Sequence, residues 1–160
     1  MGTNHFTVRK AAAGDMDDIL RFNHELFKKE RADYDARLNL DWTYGEGREA
    51  IEKALRDPDS FMEVAESDGK VVGYSYGEAY APGRYSWRIG AGAEFINLYI
   101  EPGFRRKGLG SSLAANFAKW CKQRGVDHIE TRAYADNKAS ESFAEKIGAK
   151  KLSAIYEKDI

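Results

Sequence analysis

One cysteine, Cys121, stands among the 160 residues, so no disulfide can form within the chain, and no Cys/His cluster has the spacing of a zinc site. The three histidines, His5, His24 and His128, are scattered and suggest no metal centre. A charge excess is missing too: 25 basic and 26 acidic residues leave a net charge of -1, which argues against a nucleic-acid binder held by phosphate neutralisation. Any basic function must be local. No apolar run is long enough for a spanning helix, which needs about 18 residues or more, and the polar start from Met1 to His5 does not read as a signal peptide. These absences lead to the expectation of a soluble, cytoplasmic protein with neither a membrane nor a nucleic-acid partner.

What is present fits one domain over residues 1–160. The apolar fraction of 42% and the charged fraction of 32% are ordinary for a globular chain. A chain of this size buries roughly two thirds of its unfolded surface. Phe6 to Lys10 alternates like a short strand, and Gly14-Asp15 supplies a break and an N-cap for a helix from about Asp15 to Glu30, with Ile19, Phe22, Leu26 and Phe27 on its apolar face. A second short helix is expected around Arg48 to Arg56. Phe61 to Glu66 and Lys70 to Tyr80 flank Ser67-Asp68-Gly69, the pattern of a tight hairpin. Ala81 to Gly92 reads as a loop or ragged extension of that hairpin, and Ala93 to Ile100 as a strand stopped by Glu101-Pro102-Gly103. A helix follows from Gly108 to Gly125, striped by Leu109, Leu113, Phe117 and Trp120/Cys121. Then come a strand from Val126 to Ala133, a helix from Asp136-Asn137 to Gly148 and a last strand from Lys150 to Lys158. The order describes an α/β protein, a mixed sheet with helices packed on it.

The densest chemical signal is Arg105-Arg106-Lys107-Gly108-Leu109-Gly110, between the strand ending at Ile100 and the following helix. Glycines let a backbone approach a ligand closely, and the first turn of a helix presents unpaired N–H groups whose dipole favours anions. Three adjacent cations strengthen the same field. The inference is a phosphate or pyrophosphate cradle; the alternative is a solvated charge run on a tight turn. A Walker loop fails, because Leu109-Gly110 stand where Lys and Ser/Thr are required. A dinucleotide fingerprint is a poor match, because Leu113 holds the place of the third glycine.

This turn resembles the signature of the GNAT superfamily of N-acetyltransferases, Arg/Gln-x-x-Gly-x-Gly/Ala, which Arg105, Gly108 and Gly110 match. The order of elements from Phe6 to Lys158 is similar as well. The resemblance implies a mixed, mostly antiparallel sheet of six to seven strands flanked by four helices and splayed between the fourth and fifth strands. It implies acetyl-CoA as co-substrate, with its pyrophosphate held by backbone N–H groups from Arg106 through Lys107, Gly108, Leu109 and Gly110 to Ser111. Leu98, Tyr99 and Ile100 would pair with the pantetheine arm, which Asn137, and nearby Ser140, would also meet. Gly148 stands at the glycine expected eleven residues after Asn137.

For the chemistry, a neutral amine must be generated from one whose pKa is about 10.4, which costs roughly 4 to 5 kcal/mol at pH 7. Glu94, eleven residues before Arg105, resembles in spacing the strand-borne base of the histone-acetylating branch; a strand glutamate facing solvent is the other reading. Many relatives place a tyrosine seven residues after the helix-opening asparagine to protonate the departing thiolate, but this chain has Ala144 there. Tyr134, Ser140 and Tyr99 are the neighbouring hydroxyl candidates. The aromatic segments Tyr34 to Tyr44 and Tyr80 to Trp87 fall where family members wall the acceptor cleft, although core or dimer packing explains them equally well. Cys121 lies on a helix's apolar stripe and reads as core. The resemblance thus implies transfer of an acetyl group to a primary amine, on a small molecule, peptide or protein, by direct attack in a ternary complex. A non-catalytic acyl-CoA sensor is the rival, and a homodimer is left open.

Overall fold

The structure, a computed structural model, describes residues 6–81 and 91–158. Phe6–Lys10 (β1), Ser60–Ser67 (β2), Lys70–Tyr80 (β3), Gly92–Ile100 (β4) and His128–Thr131 (β5) form one sheet in sequence order. Neighbours are antiparallel except β4 and β5, which run parallel with helix Leu109–Gln123 (α3) as their crossover. Helices Met16–Asp33 (α1) and Glu46–Ala54 (α2) cover one face, α3 covers the other, and Lys138–Lys146 (α4) follows β5.

Both faces of the sheet are buried at its centre, which explains why β2 and β3 are apolar on consecutive residues. Met62, Val64 and Tyr74 meet Ile19, Leu20 and Phe22 of α1 and Ile51 of α2. On the opposite face Phe61, Phe95 and Phe117 pack with Cys121, and Ala65, Val72 and Ile100 pack with Leu109 and Leu113. Burial pushes the Cys121 thiol up to about 11, so almost none is thiolate at neutral pH. The β2–β3 hairpin closes through Asp68 and Gly69, at φ 50° and 75°. Two consecutive positive φ values give the turn whose twist suits paired strands.

The expected strand at Lys150 to Lys158 does not form, so among the described residues the sheet has five strands and not six or seven. Leu152, Ile155 and Tyr156 are 70%, 85% and 92% exposed, and the segment pairs with no strand among the described residues. A strand signal is realised only when the side chains find a face to cover, and these do not. The expected loop at Ala81 to Gly92 falls on residues 82–90, outside the described residues.

Asp15 occupies the expected N-cap position of α1, although its side chain bonds none of that helix's N–H groups. Its Oδ2 accepts from the Ala12 N–H at 2.8 Å, bracing the 3-10 turn Ala13–Asp15 just before the helix. Arg9 reaches it through two hydrogen bonds of 2.7 and 2.8 Å and also binds Glu66 on β2, so β1, β2 and the start of α1 are tied at one point. The Arg9 guanidinium holds the Asp15 carboxyl below its ordinary pKa of 3.8. A depressed carboxylate contributes stability above that ordinary value and loses it as pH falls through the folded one. Asp15→Asn should therefore cost about 1–2 kcal/mol at pH 7, allowing for the exposure of Arg9, and progressively less in acid. Urea unfolding at both pH values checks this; an equal loss at both would assign the effect to shape rather than charge.

Candidate active site

The sheet comes apart at its last pair of strands. Pairing between β4 and β5 runs from Gly92/His128 to Phe95/Thr131 and stops there, while β4 continues alongside β3 to Ile100. The β3–β4 register also skips Ile96, since Tyr76 pairs with Asn97 and Gly77 with Phe95. A bulge of this kind re-aims the strand beyond it. Glu101 N–H donates to Val72 O on β3 at 2.9 Å, so alternation turns the N–H and C=O groups of Leu98 and Ile100 the other way, into the gap left by β5. Tyr99 turns its backbone to β3. Its ring instead stacks on Phe22 of α1 at 5.2 Å, and burial raises its hydroxyl pKa.

At the end of β4 the chain makes a 3-10 turn, Pro102–Phe104, and enters α3 through Arg105 to Gly108. Arg106 and Gly108 hold positive φ, 63° and 89°. Gly108 is the N-cap and offers no side-chain acceptor, and the first helical bond is Ser112 N–H to Gly108 O at 3.0 Å. The N–H groups of Leu109, Gly110 and Ser111 therefore have no intrahelical partner. A Cβ on Gly108 would meet open space, and one on Gly110 would lie 3.4 Å from both Leu98 and Phe143. Arg105 is committed elsewhere: its Nε donates to Ile100 O at 2.7 Å and its guanidinium lies 5.6 Å from the Tyr99 ring centre. Lys107 extends over the Phe104 ring at 5.2 Å. An anion at this turn would meet backbone donors, a helix N-terminus and a basic rim, so the chain suits the phosphate end of an extended ligand.

Beyond the gap, Asn137 caps α4, its Oδ1 accepting from Ser140 N–H at 3.0 Å. That leaves its side-chain amide without a hydrogen bond among the described residues. Tyr134 lies in the loop after β5 and stacks on Tyr34, the C-cap of α1, at 5.3 Å and 17°. Burial raises the Tyr134 hydroxyl pKa, which keeps it protonated to higher pH. Glu94 sits before the gap on β4, with Oε1 3.1 Å from Arg132 Nε and its side chain 16% exposed. It is directly opposite Glu78 on one side and Glu130 on the other, so three glutamates stand abreast on the α1/α2 face. Like charges directly opposite one another oppose sheet formation, and proteins accept such a cost where chemistry needs the charge.

On that face a pocket of about 210 Å³ opens beside the bulge, lined by Phe27, Trp42, Ile51, Met62 and Ile96 with Asn97 and Tyr76 at its polar points. A buried chain runs along its floor. Thr43 Oγ1 donates to Asn23 Oδ1 at 2.9 Å, and Asn23 Nδ2 donates to the Tyr74 hydroxyl at 3.2 Å. Sequence reasoning missed Asn23, Thr43, Tyr74, Asn97, Glu78 and Glu130. Asn23 was the one local signal, a polar residue in the apolar stripe of α1. Of the two expected aromatic walls, Trp42 lines this pocket and Tyr34 meets Tyr134, whereas Trp87 lies outside the described residues.

A parallel strand pair that parts beside a helix entered through glycine, with no side-chain cap, is the geometry that defines this site. The model of the Acetyltransferase (GNAT) family matches residues 16–149, and the chain belongs to that family. An uncharacterized N-acetyltransferase of Methanocaldococcus jannaschii is 25% identical over 158 residues, covering 94% of this chain and 63% of its own length. The chain thus spans somewhat under two thirds of that curated relative. Among solved structures, a GCN5-related N-acetyltransferase from Ralstonia eutropha has a TM-score of 0.80 at 18% identity, covering 97% of this chain and 99% of the other. The aminoglycoside acetyltransferase AAC(6')-Iy, in complex with the bisubstrate analogue CoA-S-monomethyl-acetylneamine, has a TM-score of 0.75 at 15% identity, covering 98% and 99%. These likenesses establish the shared fold.

Proposed function

We propose that the protein is an N-acetyltransferase that moves an acetyl group from acetyl-CoA to a primary amine by direct attack in a ternary complex. The observation that carries this reading is the alignment of the open edge of β4 with the uncapped first turn of α3. One offers the strand-edge N–H groups of Leu98 and Ile100 and the Leu98 carbonyl, the Ile100 carbonyl being held by Arg105, and the other offers an anion cradle through Ser111. Acetyl-CoA has the matching parts, an amide-bearing arm and a pyrophosphate, and the family membership and the CoA-conjugate complex of a fold neighbour support the assignment. Asn137 contributes its side-chain amide, and Ser140 its hydroxyl, on the opposite wall.

In the reaction the amine nitrogen, once neutral, attacks the thioester carbonyl carbon; the C–N bond forms, the C–S bond breaks, and sulfur leaves with the bonding pair. Glu94 accepts the amine proton directly or through water. N–H groups on the gap side of β4, with the α3 dipole, stabilise the charge that develops on the thioester oxygen and sulfur. A thiolate with an intrinsic pKa of about 8.5 leaves near neutral pH without full protonation. Because the thiolate can leave unprotonated, the absence of a tyrosine at Ala144 is tolerated, and Tyr134, whose hydroxyl burial keeps protonated to higher pH, is the neighbouring hydroxyl donor.

The test is acetyl transfer from acetyl-CoA to a panel of amines, with CoA release followed under single turnover across pH. Transfer with a plateau at high pH is expected, and Tyr134→Phe should change the rate by less than about tenfold, below the usual range for acid catalysis. Tight CoA binding without transfer to any amine would make the protein an acyl-CoA sensor instead. A steep fall at high pH that vanishes in Tyr134→Phe would make Tyr134 the acid.

A further inference from the structure

The pocket beside the bulge narrows the acceptor, and this step rests on the acetyl-transfer reading. It lies on the α1/α2 face of β4, bounded by Ile96 and Asn97, where the strand pair opens. Its volume of about 210 Å³ is smaller than the roughly 300–1,000 Å³ of pockets that enclose drug-sized ligands. Its side walls are apolar: Trp42 stacks on Phe27 at 5.6 Å, with Ile51 and Met62 behind them. No carboxylate is among the described residues that line it. Asn97 makes no side-chain hydrogen bond among the described residues, and the Asn23 amide is already spent on Thr43 and Tyr74.

Two costs follow from these walls. A second ammonium group placed here would be desolvated without a counter-charge, a penalty of several kcal/mol. Each hydroxyl of a sugar ring would lose water with few partners in return, at about 1–3 kcal/mol apiece. An apolar ring, by contrast, gains from burial. Carboxylates stand at one end, where Glu78 and Glu94 are abreast two residues from Tyr76 and Ile96; Tyr76 donates its hydroxyl to Glu78, and the exposed Arg132 offsets part of the charge of Glu94. The site therefore has an apolar chamber and an acidic rim, complementary to a molecule with one cationic nitrogen and one compact apolar body.

We infer that the acceptor is a small monoamine carrying a ring-sized apolar group, with the ring in the Phe27/Trp42 chamber and the nitrogen at the rim beside Glu94. The arrangement selects against polyamines and aminoglycosides, and against peptide N-termini whose chain would have to continue through the chamber wall.

The experiment uses the whole chain with 2-phenylethylamine, spermidine, kanamycin and a tetrapeptide with a free N-terminus. With acetyl-CoA, kcat/KM for 2-phenylethylamine should exceed that of each of the others by at least about tenfold, within the range one well-fitted pocket provides. Ile96→Trp, which fills the chamber from a 40% exposed position, should lower that kcat/KM by about ten- to a hundredfold, mainly through KM. A direct readout is independent of turnover: 2-phenylethylamine should change the protein's tryptophan fluorescence saturably, and Trp42→Phe should abolish the change. Preference for spermidine, kanamycin or the tetrapeptide overturns the inference, as does an absence of saturable binding of 2-phenylethylamine. Failure to bind CoA at all would overturn the acetyl-transfer reading while the fluorescence titration still decides the ligand of the pocket.

Discussion

Gly110→Val should weaken CoA binding by about a hundred- to ten-thousandfold, the equivalent of losing two charge-assisted hydrogen bonds of about 1.5–3 kcal/mol each. A Cβ at this position already lies 3.4 Å from Leu98 and Phe143, so the two further methyl groups of valine must push those side chains or the first turn of α3 aside. Either displacement disturbs the N–H groups of Leu109 to Ser111. Gly110→Ala adds only the Cβ and should keep affinity within about tenfold, because the neighbours need to yield only a few tenths of an ångström. Isothermal titration with CoA, alongside a thermal melt showing that both variants fold, decides the matter. A folded Gly110→Val protein with wild-type affinity would move the phosphate site elsewhere.

The second large effect is expected at Glu94. Glu94→Gln keeps the shape and removes the proton acceptor, so turnover should fall by about ten- to ten-thousandfold with little change in CoA affinity. The loss should shrink as pH approaches the amine's own pKa of about 10.4, where a neutral nucleophile is available without help. Arg132, which pairs with Glu94 from an exposed position, offers the control. Arg132→Gln removes the ion pair and leaves the carboxylate. If Glu94→Gln turns over like the wild type at every pH, the glutamate is structural and the row of three carboxylates needs another explanation.

What could be read from the sequence was whatever depends on near neighbours. The β2–β3 hairpin follows from Asp68-Gly69 because those two residues tolerate positive φ, and Lys70 to Tyr80 matches β3 end to end. The α3 entry was legible for the same reason, since Gly108 must adopt a left-handed conformation that side chains resist. Lys150 to Lys158 failed because its pattern promised a face to cover, and no strand among the described residues supplies one. Of the pocket floor only Asn23 left a local trace: Thr43 and Tyr74 meet it across 20 and 51 positions of sequence, distances that no spacing rule connects. Arg105 is the instructive intermediate case. Its position in the signature was plain, but its side chain is turned to a backbone carbonyl rather than outward.

That bond, from Arg105 Nε to Ile100 O, joins the last residue of β4 to the approach to α3. Strand edge and helix mouth are thereby held at one separation, like the jaws of a caliper. A molecule that engages both must carry its amide arm and its phosphates at matching spacing. Pantetheine alone would reach one jaw, and a nucleotide alone the other, so affinity should come from spanning the interval rather than from either contact by itself.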